Sequence, residues 1–171
     1  MLASLLSFLP GCAHNSTRGL PPVTGFDAGR YAGTWYEIAR FPHVFERGLT
    51  RVTAEYTAQA DGSIRVVNRG YDPAKQKWRS ATARAVFPGA HDIGLLRVTF
   101  FWPFSASYKV VKLDEKEYAW AVVTSGTLDY FWILARTPRL PPETYAELVK
   151  FAADSGFDTS RIEKVEQMPA G

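Results

Sequence analysis

The sequence predicts an all-β protein: eight antiparallel strands that form a barrel or a sandwich, with one C-terminal α-helix packed outside. Two observations indicate this fold. Between residues 30 and 136, short β-prone segments alternate with turn signals, and no helical pattern interrupts them. Beyond this region, one segment has the apolar spacing of an amphipathic helix. The chain has 171 residues, which is enough for one domain with a sizeable core.

The eight predicted strands are separated by Asp-Gly, Pro-Gly and similar turn-forming pairs. In the second strand, Val52, Ala54 and Tyr56 occupy one face while Arg51 and Glu55 occupy the other, as in a strand that buries a single face. The inward sets mix small residues with aromatic ones, a pattern that suits a hollow interior. The strands span residues 34–41, 50–58, 63–71, 77–87, 95–102, 107–113, 117–124 and 128–136.

The predicted helix covers about residues 142–155 and follows Pro141, which is suited to a helix start. Its apolar residues form one stripe, so we expect it to lie against the outside of the barrel. Gly156 is the predicted C-terminal cap, with Phe157 as its apolar contact. The extended stretch 161–167 is expected to join a sheet edge, which completes a barrel domain over residues 27–168.

The N-terminal region reads as a secretion signal followed by a lipidation site. Residues 1–11 carry no charge and are mostly apolar, and they are too short to span a bilayer. The tetrapeptide Leu9-Pro10-Gly11-Cys12 resembles the bacterial lipobox, in which the cysteine is acylated. We therefore predict a signal peptide over 1–11, with its start lying upstream because no basic residue precedes the apolar run. Cys12 is then the lipidation site and membrane anchor, and 12–26 is a tether.

Composition argues against several other classes of function. The formal net charge is +3, with 20 basic and 17 acidic residues interspersed, so nucleic-acid binding is not expected. With one cysteine and three histidines, the sequence offers no disulfide and no evident metal site. We find no catalytic motif and predict no cofactor. Aromatic residues make up 14% of the chain, which is high for a domain that must place them in a core or a cavity.

Three ordered elements resemble the signature of lipocalins. Gly33-Thr34-Trp35 opens the first strand, 117–123 matches the middle element, and 129–138 matches the end of the last strand. The middle element departs most, because Glu117-Tyr118 stands where Thr-Asp-Tyr is usual. Over residues 27–168 the resemblance is closest to bacterial lipocalin outer-membrane lipoproteins and their apolipoprotein D relatives. It implies that the eight strands form an antiparallel up-and-down β-barrel. It also implies binding of fatty acids or lysophospholipids, carried or stored at the outer membrane on its periplasmic side.

Trp35 and Arg136 are expected to meet at one end of the barrel. A barrel has two open ends, and one must be closed for the interior to be a cup. An indole beneath a guanidinium closes that end through a cation–π stack. We therefore predict that Gly33, Trp35 and Arg136 are structural and that none of them is catalytic.

The predicted ligand-binding residues are inward-facing strand positions together with two loop residues near the mouth. For each of them taken alone, ordinary core packing is an equal alternative. The strand positions are Tyr56, Val66, Phe87, Val98, Phe100, Trp102, Tyr108, Val110, Tyr130 and Trp132, and the loop residues are Phe41 and Phe45.

Two other functions stay open beside lipid binding. The first is a lipocalin-fold enzyme that acts on a small apolar substrate; Glu37 faces inward by strand parity, whereas His43 and His91 are expected in solvated loops. The second is a structural envelope protein without a ligand. In that case outward-facing Trp120 and Phe101 are candidates for a partner or homodimer face, unless the helix covers them.

Overall fold

The computed structural model describes residues 16–167, and in it eight strands close into an antiparallel barrel. The predicted signal peptide and Cys12 lie outside this range. The strands are β1 Gly33–Arg40, β2 Thr50–Ala58, β3 Ile64–Asp72, β4 Lys77–Val86, β5 Leu95–Phe101, β6 Phe104–Leu113, β7 Trp120–Thr124 and β8 Phe131–Ala135, with a short β9 at Glu163–Lys164. The helices are α1 Ala28–Tyr31 and α2 Pro142–Asp154.

Each strand pairs with its neighbour in sequence, which confirms the up-and-down barrel. β1 closes it by pairing with both β8 and β2, and β9 pairs with β1 as predicted for the C-terminal stretch. One seam is short, because β4 and β5 pair only over Arg84–Val86 and Arg97–Thr99. No helix within residues 16–167 has the length and apolar character needed to cross a membrane.

The two ends of the barrel differ in what covers them. At one end lie α1 and the connections β2–β3, β4–β5 and β6–β7. At the other end lie the β1–β2, β3–β4, β5–β6 and β7–β8 connections, which span 41–49, 73–76, 102–103 and 125–130. We call these the closed end and the open end. Helix α1 and the side chain of Arg136 close the closed end.

Helix α1, which the sequence pattern did not reveal, closes its end of the barrel. Asp27 caps it, since its Oδ1 accepts hydrogen bonds from the amides of Gly29 and Arg30 at 2.8 and 3.1 Å. The helix places Tyr31, fully buried, directly above the fully buried Trp35, with 4.7 Å between the ring centroids. Around them the inward faces of the strands form one continuous apolar cluster. The closed end is therefore filled by side chains.

Arg136 covers Trp35 from outside. Its guanidinium carbon lies 4.0 Å from the centroid of the indole. Its nitrogens donate to the carbonyls of Thr34, Arg30 and Tyr118 at 3.0, 2.6 and 3.3 Å. One side chain thus joins β1, α1 and the segment before β7.

A second apolar cluster lies outside the barrel, beneath α2. Leu148 and Ala152 of the helix are buried against the outward residues of β1, β7 and β8. Trp120 is partly buried in this cluster. The helix therefore covers it, which was the alternative to an exposed partner face. The helix ends at Asp154, and Gly156 just beyond it has φ +87°; the amide of Phe157 then donates to the Ala152 carbonyl at 3.0 Å.

The segment predicted as a tether is bound to the barrel wall from Thr17 onward. The Thr17 amide donates to the Gly126 carbonyl at 3.2 Å beside the open end. Lys109 Nζ donates to the carbonyls of Thr17 and Leu20 at 2.8 and 3.1 Å. The segment then descends to the closed end, where the Phe26 amide donates to the Asp92 carbonyl at 2.8 Å. Residues 17–26 therefore lie along the barrel wall.

We predict that Arg136→Ala lowers the free energy of unfolding by about 2–4 kcal/mol, because the stack on the buried Trp35 and the three hydrogen bonds to the carbonyls of Thr34, Arg30 and Tyr118 are lost together. Urea unfolding followed by circular dichroism measures this change. The matched control is Arg97→Ala, an exposed arginine on β5, which should shift the free energy by less than about 0.5 kcal/mol. Equal stability of Arg136→Ala and the parent would contradict a structural role for this residue.

Candidate functional site

Three tyrosines form a floor across the middle of the barrel. The hydroxyl of Tyr108 lies 2.6 Å from that of Tyr31 and 2.8 Å from that of Tyr56. Burial raises the pKa of all three phenols above the ordinary value, so they remain neutral hydrogen-bonding groups. Below this floor the interior is packed, and the space available to a ligand lies above it.

Above the floor, the inward-facing positions carry small or partly exposed residues. Ala54 pairs with Asn68, which pairs with Ala81, so these three form one row across β2, β3 and β4. Ala81 and Ala106 are exposed although each belongs to the inward-facing set of its strand. Solvent therefore reaches the inner wall here. We call this open half of the interior, bounded by Ala54, Asn68, Ala81, Ala106 and Trp132, the cup.

A buried polar cluster stands on the β1 side of the cup. Arg40 Nη1 donates to Glu37 Oε1 at 2.5 Å, and Arg40 Nη2 donates to the carbonyls of Glu46 and Leu49 at 2.7 and 3.1 Å. These last two bonds hold the β1–β2 loop against the barrel. The arginine Nε–H is buried and has no acceptor among the described residues. The cluster thus contains a buried donor without an acceptor, which is costly in a protein interior.

The same loop places His43 and Glu46 on the aromatic wall of the cup. His43 Nε2 lies 3.0 Å from Glu46 Oε2, and Trp132 Nε1 donates to the same oxygen at 3.3 Å. The imidazole lies 5.2 Å from the Trp132 ring, and Tyr130 stacks on that ring at 5.9 Å. The expectation that His43 is a solvated loop residue is wrong, because its side chain is only 11% exposed.

The two carboxyl groups of this cluster have opposite pKa shifts. Burial, with the neighbouring Glu46 charge as the second cause, raises the pKa of Glu37 to about 8. The Arg40 guanidinium acts in the other direction, but the cost of burying the carboxylate outweighs it. The pKa of Glu46 is lowered because its contacts with His43, Trp132 and Arg40 outweigh its burial. Glu46 is therefore the more stable carboxylate of the two.

Most predicted ligand-binding residues face the interior, but at different depths. Tyr56 and Tyr108 belong to the floor, and Trp132 belongs to the wall of the cup. Tyr130 and Phe100 are partly exposed toward the open end, and Phe45 is exposed in the β1–β2 loop. The remaining four lie in the packed cluster or against it: Val66, Phe87, Val98 and Val110. Ligand contact stays a prediction for all of them.

Two of the predicted positions are wrong. Phe41 does not lie near the mouth: it is fully buried outside the barrel, 5.3 Å from Phe131 and 6.1 Å from Phe157. The bulge in β1 between Glu37 and Ala39 shifts the strand alternation, so Phe41 lies on the helix side. Trp102 does not point inward, because it stands at the β5–β6 hairpin tip with 89% of its surface exposed.

A groove follows the short seam between β4 and β5. It has a volume of about 810 Å³ and extends from the β2–β3 turn to the open end. Its lining is mixed in polarity, with Arg65 and Arg84 beside Thr99, Phe100 and Trp102. The groove exists because the upper parts of these strands are not paired with each other.

Sequence reasoning missed the residues that make the cup polar on one side. Strict alternation from Trp35 and Glu37 would place Arg40 outward. It faces inward opposite Trp132 because the bulge between Glu37 and Ala39 shifts the register of β1. His43 and Glu46 also had no signal in the sequence, since they lie in a loop whose path depends on Arg40. Within residues 16–167, no group of His, Cys, Asp and Glu side chains has the arrangement of a metal site.

Comparison with known proteins gives consistent matches over the barrel. Residues 26–167 match the family described as Lipocalin-like domain. "Outer membrane lipoprotein Blc" of Escherichia coli K12 is 47% identical over 150 residues, covering 88% of this chain and 84% of the relative. The protein of the same name from Vibrio cholerae is 41% identical, covering 90% and 92%. Apolipoprotein D of Bos taurus is 33% identical, covering 86% and 81%.

Solved structures support the fold. Insecticyanin from Manduca sexta superposes with a TM-score of 0.69 at 21% identity, covering 88% of this chain and 86% of that one. The cockroach allergen Per a 4 has a TM-score of 0.68 at 21% identity, covering 86% and 92%. At this identity the similarity concerns architecture alone.

We predict that Glu37 makes the protein less stable as the pH rises from about 4.5 to about 8. The folded state holds this proton more tightly than the unfolded state, so its stabilising contribution is full below the unfolded pKa and is lost as the pH passes the folded one. Glu37→Gln should flatten this decline, because an amide does not titrate and its oxygen can still accept from Arg40. Melting temperatures at pH 5 and pH 8 measure the effect.

The control for this prediction is Glu55→Gln, an exposed carboxylate on β2. It should leave the pH dependence of the parent unchanged. A Glu37→Gln protein whose melting temperature falls between pH 5 and pH 8 as much as the parent's would contradict the assignment.

Proposed function

The chain belongs to the lipocalin family, and on that premise we propose that it is a lipid-binding lipoprotein that holds fatty acids or lysophospholipids in its cup. The observation that carries this proposal is the division of the interior. Below the tyrosine floor the barrel is packed with side chains, and above it the inner wall is accessible. A protein that served only as a scaffold would gain stability by filling both halves.

The chemistry of the cup fits an amphipathic ligand. Ala54, Ala81 and Ala106 leave room, and the stacked pair of Tyr130 and Trp132 offers an apolar wall to an acyl chain. The polar cluster stands beside this wall. A carboxylate or phosphate head that reached Arg40 would provide the acceptor that its Nε–H lacks.

The cellular setting follows from the relatives. The bacterial ones are named outer membrane lipoproteins, and the chain shares that localisation, lipid-anchored at the outer membrane. We propose Cys12 as the acylated residue and the periplasmic side as the one the barrel faces. The same relatives are named as lipoproteins and not as enzymes, so binding and not catalysis is the activity.

We predict that delipidated protein binds fatty acids and lysophospholipids with an affinity that rises with chain length up to the depth of the cup. Each buried CH₂ contributes about 0.8 kcal/mol, which is a factor of roughly four in affinity. Calorimetric titration with acyl chains of increasing length measures this series. Trp132→Ala should weaken binding of long chains by about tenfold or more, because the wall is lost.

The matched control is Trp120→Ala, which removes a partly buried tryptophan from the outer face beneath α2 and leaves the cup intact. Its affinity should equal that of the parent at temperatures where both are folded. Absence of binding heat across the whole series, with folded and lipid-free protein, would show that the accessible half does not hold acyl chains.

We predict that Cys12→Ser, made with a complete export signal, no longer sediments with outer membranes after a carbonate wash. The barrel should fold as before, since its first strand begins at Gly33, well after Cys12. Acylation normally holds such a protein firmly, because two or more chains together give stable anchoring. Equal retention of parent and variant would contradict Cys12 as the anchor.

A further inference from the structure

The loops of the open end expose large apolar side chains that no part of the described chain covers. The β1–β2 loop carries Val44 and Phe45, which are 74% and 73% exposed. The tip of the β5–β6 hairpin carries Phe101, Trp102 and Phe104, with exposures of 77%, 89% and 78%. We call these five residues the apolar rim. A group of this kind at one end of a soluble domain commonly marks a contact surface.

The apolar rim is not required by the fold. The closed end and the helix side bury their large apolar residues, as Tyr31, Trp35 and Leu148 show. The remaining strongly exposed aromatic, Trp78, also lies toward the open end, at the start of β4. The exposed apolar surface is thus concentrated where ligand would enter.

The charges around the apolar rim are basic. Arg47 follows the exposed part of the β1–β2 loop, and Lys75, Lys77 and Arg79 surround the β3–β4 turn, all of them exposed. In the four loops of the open end, the acidic residue with substantial exposure is Asp129, whose Oδ1 lies 3.8 Å from Arg161 Nη1. Aromatic residues flanked by basic ones match the interfacial region of an anionic lipid leaflet, where tryptophan is favoured and cations are attracted.

The first described residues, Ser16 and Thr17, lie at the open end. Ser16 bridges to Thr127 in the β7–β8 loop, and Thr17 Oγ1 donates to the Ser125 carbonyl at 2.7 Å. Cys12 precedes Ser16 by four residues, which span at most about 14 Å of extended chain. An acyl anchor at Cys12 therefore holds the open end, and not the closed end, close to the bilayer.

We propose that the apolar rim docks into the surface of an anionic bilayer, so that the mouth of the cup faces the lipids directly. The short anchor limits the distance, the basic residues orient the open end toward negative head groups, and the aromatic loops enter the interface. An acyl chain could then pass between leaflet and cup with little exposure to water. This inference adds a second membrane contact to the anchor and does not depend on which lipid occupies the cup.

The test uses full-length protein carrying Cys12→Ser, so that no acyl chain contributes to binding. Co-sedimentation is measured with vesicles of phosphatidylethanolamine and phosphatidylglycerol, and with phosphatidylcholine vesicles for comparison. The double variant Phe101→Ser/Phe104→Ser should lower the partition coefficient by about tenfold or more on the anionic vesicles. Lys77→Glu should lower it by about fivefold on anionic vesicles and little on phosphatidylcholine.

The control carries Lys116→Ser/Glu117→Ser at the closed end, where both side chains are strongly exposed. It retains residues 1–15, as do all the variants, so binding through that segment cancels in the comparison. Since the substituted residues are exposed, the melting temperature should be unchanged. Fatty-acid affinity in solution should also be unchanged, which separates failure of docking from failure of ligand binding.

Two results would overturn the proposal. Equal partitioning of the double variant and the control would show that the apolar rim does not contact lipid. The second result combines three observations: the parent is dimeric, it does not bind vesicles, and the double variant is monomeric. That result would show that a second copy of the chain covers the apolar rim instead.

Discussion

The stack of Arg136 on Trp35 determines which half of the barrel can hold a ligand. By joining β1, α1 and the segment before β7, it closes one end and fixes Tyr31 above the indole. Tyr31 in turn reaches Tyr108, whose hydroxyl also meets Tyr56, so the closed end extends upward as a hydrogen-bonded floor. Stability is concentrated below this floor. The upper half is therefore free to carry small residues and open space without loss of the fold.

A second constraint comes from burying charge beside the cup. Arg40 holds the β1–β2 loop against the barrel through a hydrogen bond to the Glu46 carbonyl. Its partner on the other side is Glu37, whose carboxyl group is costly to ionise because it is buried. Replacing the pair by apolar residues would serve stability alone at least as well. The polar cluster is more readily understood as a part of the ligand site, where a charged head group could complete the hydrogen bonds that the protein leaves open.

The features that the sequence predicted correctly depend on interactions between residues close together in the chain, and the features that it missed depend on distant ones. Strand alternation depends on neighbouring residues, so it predicted the inward positions of Tyr56, Tyr108 and Trp132 and the barrel as a whole. The positions of Phe41, Trp102 and His43 depend on a bulge, on a hairpin tip and on a loop held by Arg40, and none of these has a local periodic signal. The contacts of the N-terminal segment have no local signal either, since Lys109 binds Thr17 across 92 positions of sequence.

The open end brings together three features that have separate physical causes. The cup opens there because the floor closes the other direction. The N-terminal segment lies there because Thr17 binds the β7–β8 loop, and the apolar rim lies there because the two loops that carry it extend from that end. With Cys12 as the proposed anchor, the four residues up to Ser16 would leave the barrel little freedom to turn its closed end to the bilayer. In the proposed arrangement the N-terminal segment orients the cup toward the bilayer, and the exposed aromatic residues meet the one phase in which their exposure carries no cost.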